Sequence, residues 1–102
     1  MITPRCSIVI PAKNEYHSIT AVLLRVAEGV SLPFECLVVV DDDDDPTIKS
    51  VAELVSGDPR FMAVVNRSGV GPAAAIKAGI RESRAPVVVV TMADGSDDPR
   101  SI

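Results

Sequence analysis

Two kinds of apolar pattern alternate along this chain. Cys6 to Ile10, Phe34 to Val40, Phe61 to Val65 and Val87 to Ala93 are short, nearly unbroken runs rich in valine and isoleucine. Runs of this kind read as strands buried on both faces, as in a parallel sheet covered by helices. Between them the apolar residues recur at helical spacing instead. Ile19, Val22, Leu23 and Val26 form one stripe, Ile48, Val51, Ala52 and Val55 a second, and Ala73, Ile76 and Ile80 a third. The punctuation agrees with this division. Asn14 suits an N-cap with Glu15 in the first turn, and Gly29 with Pro33 ends the helix. Pro46 and Pro72 suit first helical positions, Gly57-Asp58-Pro59 makes a turn, and Pro86 stops the third helix. The order is β-α-β-α-β-α-β, with connections long enough for right-handed crossovers. The predicted fold class is therefore α/β: a three-layer α/β/α unit on a parallel, four-stranded, Rossmann-like sheet in the order 3-2-1-4. That order follows from a crossover that reverses direction between the first and fourth strands.

The polar residues matter most where the second and fourth strands stop. Val40 is followed by Asp41 to Asp45, and Ala93 by Asp94-Gly95-Ser96-Asp97-Asp98. Ligands of open α/β sheets bind beyond the carboxyl ends of the strands, so both clusters fall on the binding edge. Composition sharpens that picture. Of the 14 acidic residues, five lie in the first cluster, three in the second, and Glu15 follows the first strand. The remaining acids are fewer than the 10 basic residues, so acidity is confined to one edge. A net charge of −4 and an aromatic content of 3% with no tryptophan argue against a nucleic-acid surface. At 102 residues the chain reads as a single domain spanning 1–102. Cys6 and Cys36 fall inside strands, which suits reduced, buried thiols in a cytoplasmic protein. No apolar run approaches the roughly 20 residues that span a bilayer.

Each candidate has a bland reading beside the functional one. The Asp run can be a solvated turn that favours the N-terminus of the next helix. That reading fits Asp43 to Asp45, whereas Asp41 and Asp42, fixed at the strand end, suit function. A carboxylate held there accepts a hydrogen bond from a nucleobase N–H. Asp94 and Asp97 suit a hard cation such as Mg²⁺ or Mn²⁺ bridging to diphosphate, or else form an idle Asp-Gly turn. Gly69-Val70-Gly71-Pro72-Ala73-Ala74 fits G-x-G-x-x-A after a strand, with Asp94 at the next strand end, as in a dinucleotide site. Three residues between Val65 and Gly69 make its turn longer than that fingerprint uses. Arg67 and Lys13 are the cations placed to meet phosphate. His17 has no ligand partner at metal spacing and reads as a surface residue.

Taken together, these segments resemble family 2 glycosyltransferases. Ser7-Ile8-Val9-Ile10-Pro11-Ala12-Lys13-Asn14-Glu15 is similar to that family's opening S-V-V-I-P-x-x-N-E. Val38 to Asp42 with Asp45-Pro46-Thr47 is similar to its V-D-D-x-S-x-D-x-T segment, one residue shorter. Asn66-Arg67 with Gly69 to Ala73 resembles its third loop and helix, and Ala93 to Pro99 the region of its D-x-D motif. The nearest branch is that of dolichol-phosphate-mannose synthases. The resemblance implies a GT-A fold of which this chain is the nucleotide-binding front half, with the acceptor-binding half and any catalytic base beyond it. It also implies a nucleoside-diphosphate-sugar donor, a divalent metal (Mg²⁺ or Mn²⁺) and a lipid-phosphate or other acceptor. By position, Pro11, Lys13, Glu15, Val40 and Asp42 line the nucleoside pocket, with Asp42 meeting the base and Arg67 and Asp94 contributing to nucleotide binding. Asp94 is the metal-binding residue of the D-x-D motif, with Asp97 as a second ligand. Met92 stands where the first Asp of that motif belongs, and a thioether suits a hard cation poorly.

The expected function is thus sugar transfer from a nucleotide sugar, with the metal stabilising the departing diphosphate. In the intact form it would act in the cytoplasm, at the membrane face where a lipid acceptor sits. Two alternatives stand beside it. One is a non-catalytic nucleotide- or metal-binding module, suggested by Met92 and the missing acceptor half. The other is a dinucleotide-dependent oxidoreductase domain, suggested by the glycine loop. An uncovered fourth strand is expected to invite self-association.

Overall fold

The computed structural model describes residues 3–12, 19–55, 57–67, 69 and 71–91, the side chains of Leu54 and Val55 excepted. The elements are β1 (Cys6–Pro11), α1 (Ile19–Gly29), β2 (Phe34–Val40), α2 (Pro46–Val55), β3 (Phe61–Val65), α3 (Pro72–Glu82) and β4 (Val87–Val90). All strand pairs are parallel, and the sheet order is β3-β2-β1-β4. That is the expected alternation and the expected order. The expected first-helix cap at Asn14, the Val55 side chain and the fourth strand beyond Thr91 lie outside the described residues.

Alternation along the two central strands divides the core between two helical layers. Ile8, Ile10, Phe34, Cys36 and Val38 face one side, where Ile19, Val22, Leu23 and Val26 of α1 and Val51 of α2 cover them. Val9, Leu37 and Val39 face the other side, against Ala75 and Ala78 of α3. Every residue of β1 and β2 is buried, as their continuous apolar runs demand. β4 is less buried than its apolar run alone suggests, as the expected edge position and missing cover imply. It is an edge strand, and Val87 and Val90 are 54% and 40% exposed.

Two predicted helix faces need correction. On α2, Val51 is buried and Ile48 partly so, but Ala52 points outward while Thr47 is fully buried. On α3 the predicted stripe of Ala73, Ile76 and Ile80 is not the inward face. Ala75, Ala78 and Gly79 are buried, Ile76 is half-buried, and Ala73 and Ile80 are exposed. The reason is close approach. A Cβ on Gly79 would overlap the Val9 side chain and lie 3.2 Å from Val39 Cγ2. The smallest residues therefore mark the contact, and the isoleucines are left at its margin.

The amino edge of the sheet carries a polar network. Ser7 and Glu35 are register partners on β1 and β2, and both are buried. The Ser7 hydroxyl donates to Glu35 Oε2 at 2.6 Å, and the Arg84 amide donates to the same oxygen at 2.6 Å. Arg84 Nε reaches Glu35 Oε1 at 2.9 Å, and the Ala85 amide donates to Ser7 Oγ at 3.2 Å. One buried carboxylate thus fastens the α3–β4 connection to the strand starts. Burial alone pushes the Glu35 carboxyl up, but the Ser7 and Arg84 hydrogen bonds outweigh it and hold the group below its ordinary value. Nearby, the Arg60 guanidinium is 4.5 Å from the Phe34 ring centroid and pairs with Asp58. The two cysteines are free and buried on the α1 side, offset by two residues in register. Burial pushes both thiols up, so neither is poised as a nucleophile.

Candidate functional site

β2 and β3 end side by side, because Val40 and Val65 are register partners. The chain leaves β2 into the Asp run and leaves β3 into Asn66-Arg67, so these two exits become facing walls. Between them is an open cleft of about 650 Å³, lined by Asp41, Asp42, Asp43, Val65, Asn66, Arg67 and Gly69. It sits at the carboxyl edge of the sheet, where an α/β fold binds its ligands.

The five aspartates hold different positions. Asp41 is half-buried, and its Oδ2 accepts the Gly71 amide at 3.1 Å while its Oδ1 lies 3.4 Å from Asn66 Nδ2. Asp42 is exposed and its Oδ1 accepts the Asp44 amide at 2.9 Å, a turn within its own loop. Asp43 crosses the cleft to Arg67, with nitrogen–oxygen distances of 3.0 and 3.3 Å, both side chains being largely exposed. Asp45 is the N-cap of α2: its Oδ1 accepts the Thr47 amide at 2.9 Å, with Pro46 in the first helical position. The reading of Asp43 to Asp45 as a turn serving the next helix holds for Asp45. For Asp43 it needs correction, because that residue joins the opposite wall.

On the second wall, Asn66 is the residue that sequence reasoning left without a role of its own. It is 2% exposed, its amide donates to the Val40 carbonyl at 2.7 Å, and its Nδ2 donates to the Gly69 carbonyl at 3.0 Å. An amide side chain directly after a strand and three residues before a glycine was the available signal. Gly71, at φ 96°, starts α3 with no side chain to cap it. Its amide already belongs to Asp41. In the dinucleotide reading that helix N-terminus would receive a pyrophosphate. Here a carboxylate of the protein stands there, which speaks against that alternative.

Of the expected site residues, the structure brings Asp42 and Arg67 together across the cleft. Pro11 and Val40 are buried at the ends of the adjacent strands β1 and β2 and do not line it. Lys13, Glu15, Asp94 and Asp97 lie outside the described residues, as does Met92. Among the described residues no three carboxylate, cysteine or histidine groups converge to hold a metal ion. No described helix is long and apolar enough to cross a membrane.

Comparison with known proteins bears on this arrangement. Residues 7–102 match the family described as Glycosyl transferase family 2. The chain is 34% identical over 102 residues to an undecaprenyl-phosphate 4-deoxy-4-formamido-L-arabinose transferase of Pseudomonas syringae pv. syringae, aligning 94% of this chain with 30% of that protein. It is 24% identical over 107 residues to a dolichol-phosphate mannosyltransferase of Mycosarcoma maydis, covering 98% of this chain and 36% of that one. Among solved structures it superposes on the mannosyltransferase PcManGT of Pyrobaculum calidifontis, in complex with GDP-Man and Mn²⁺, with a TM-score of 0.78. That match is 26% identical and covers 92% of this chain and 28% of the other. The chain thus spans about a third of the length of the relatives it matches.

Proposed function

The chain belongs to glycosyl transferase family 2, and from that premise we propose that it is the nucleotide-sugar-binding portion of a glycosyltransferase, with the carboxyl-edge cleft as the seat of the nucleoside. The observation that carries this reading is the pairing of walls: Asp42 on one side, Arg67 and Asn66 on the other, at the strand ends. A nucleobase entering the cleft meets a hydrogen-bond acceptor in Asp42, whose Oδ2 has no partner among the described residues. The diphosphate that follows meets the Arg67 guanidinium, a fork-shaped donor suited to phosphate oxygens. Asp43 holds that guanidinium through an exposed ion pair, and pairs of this kind are worth only about 0–1 kcal/mol. Exchange of Asp43 for phosphate is therefore inexpensive. Pro11 and Val40 are the buried last residues of adjacent strands, and the sequence resemblance assigns them, with Lys13 and Glu15, to nucleoside binding.

Asp94 and Asp97 are assigned as ligands of Mg²⁺ or Mn²⁺ from their place in the segment that resembles the D-x-D region. Their oxygens are the hard donors such ions take. The bound ion would neutralise charge on the diphosphate as it departs. One similar protein of solved structure was captured with GDP-Man and Mn²⁺, which supports this donor class and this metal. Two relatives are named for undecaprenyl-phosphate and dolichol-phosphate, which supports a lipid-phosphate acceptor; transfer at the cytoplasmic face of a membrane is part of the same proposal. Acceptor binding is assigned to the further length that the relatives have beyond the matched stretch.

A calorimetric screen of UDP-, GDP- and CDP-sugars, with and without Mn²⁺, tests the proposal. Saturable one-to-one binding of one nucleotide class, strengthened by Mn²⁺, is expected. Absence of nucleotide-sugar binding, or preference for a nicotinamide dinucleotide, would overturn it.

A further inference from the structure

The second wall of the cleft is a loop, and something must hold a loop for a ligand to find it in place. Residues 66 and 71 bracket it, and Asp41 of the opposite wall touches both. Its Oδ2 takes the Gly71 amide at 3.1 Å and its Oδ1 faces Asn66 Nδ2 at 3.4 Å. Asn66 in turn holds the loop from within, through the Gly69 carbonyl. Gly71 has no side chain to cap α3 and sits at φ 96°, so the orientation of that helix start depends on a group from outside it. Arg67 follows Asn66 directly.

We infer that Asp41 is a positioning residue for nucleotide binding: it sets Arg67 opposite Asp42 by gripping the loop at Asn66 and Gly71, while of the two aspartates only Asp42 meets the ligand. The inference rests on the reading of this cleft as the nucleotide site. It separates two adjacent aspartates of identical chemistry. Both Asp41 oxygens are engaged across the cleft, whereas Asp42 keeps one oxygen without a partner among the described residues.

The test is a double-mutant cycle read by calorimetry, using the nucleoside diphosphate that binds the unaltered chain, with Mn²⁺. Asp41→Ala is expected to weaken binding by about tenfold, the scale of losing a charged acceptor, and Asp41→Asn by less, since its amide oxygen still accepts the Gly71 N–H. Because Asp41 acts through the loop, Asp41→Ala adds little to Arg67→Ala, but it multiplies with Asp42→Ala. A residue that only supports overall stability would show no such selective coupling. Amide exchange at Gly71, slow in the unaltered chain and moderately faster in Asp41→Asn because a neutral amide oxygen holds the N–H less strongly than a carboxylate, reads the contact even where Asp41→Ala does not fold. Full binding by Asp41→Ala, independence from Arg67, or an unprotected Gly71 amide in the unaltered chain overturns the inference while leaving the functional reading intact. Failure of every nucleoside diphosphate to bind the unaltered chain removes both.

Discussion

Asp42 and Asp44 are two residues apart in one acidic run, yet their surroundings predict different consequences when either is lost. Asp42 stands on the cleft wall, whereas Asp44 is exposed and contributes its backbone amide to the turn at Asp42. On the proposed function, Asp42→Ala weakens nucleoside-diphosphate binding by about 1–3 kcal/mol, because its nucleobase partner is left unpaired. Asp44→Ala leaves binding nearly unchanged. Calorimetry on the two variants checks this, and equal losses would mean the run acts only as diffuse charge. The placement of Asp42 was legible in sequence because the apolar run stops at Val40. The separate tasks of Asp41, Asp43 and Asp45 were less so. Only the Asp45 cap is local; the partners of Asp41 and Asp43 lie 24 or more positions away and exist only after folding. Glu35 was hidden for a related reason. A lone acid inside an apolar run gives no sign that Ser7 and Arg84 will meet it. Its carboxyl is held below the ordinary value near 4.5, so the unfolded chain takes up that proton more readily than the folded one. Its stabilising contribution is therefore complete above about pH 4.5 and fades as the pH falls through the lower folded-state value. Glu35→Gln is expected to cost about 1–3 kcal/mol at pH 7 and to flatten the acid limb of a chemical-denaturation profile. An acid limb as steep as that of the unaltered chain would show that other groups govern it.

At the scale of elements, the hydrophobic pattern located every strand and helix described but misjudged the face of α3. Isoleucines at helical spacing suggest an inward stripe, whereas Ala75, Ala78 and Gly79 recur at i, i+3 and i+4 and make the true one. Small residues give a weak apolar signal, yet they permit the closest approach of helix to sheet. Gly79→Ala tests this directly. In an exposed helix the change would be stabilising by about 1 kcal/mol on propensity. Here the added methyl meets Val9 and Val39, so a loss of about 1–3 kcal/mol by overpacking is expected in thermal or denaturant unfolding. A more stable variant would mean that α3 has room to withdraw from the sheet. Because α3 begins at the wall of the cleft, the same variant should also weaken nucleotide binding.

For the molecule as a whole, the order 3-2-1-4 was legible because so few arrangements satisfy parallel strands with right-handed crossovers. That topology brings the exits of β2 and β3 together and concentrates acidity on one edge, while the opposite edge is closed by the Ser7, Glu35 and Arg84 network. The central claim is that the acidic edge holds a nucleoside diphosphate between Asp42 and Arg67. The most direct measurement is a backbone NMR titration of the chain with UDP and GDP, repeated with Mn²⁺ as a paramagnetic probe. Shifts concentrated at Asp42, Asp43, Asn66, Arg67 and Gly69 are expected, with Mn²⁺ broadening the signals of this carboxyl edge and sparing Ser7, Glu35 and Arg84. Shifts centred on the amino edge or scattered over the surface, with Mn²⁺ broadening to match, would contradict it.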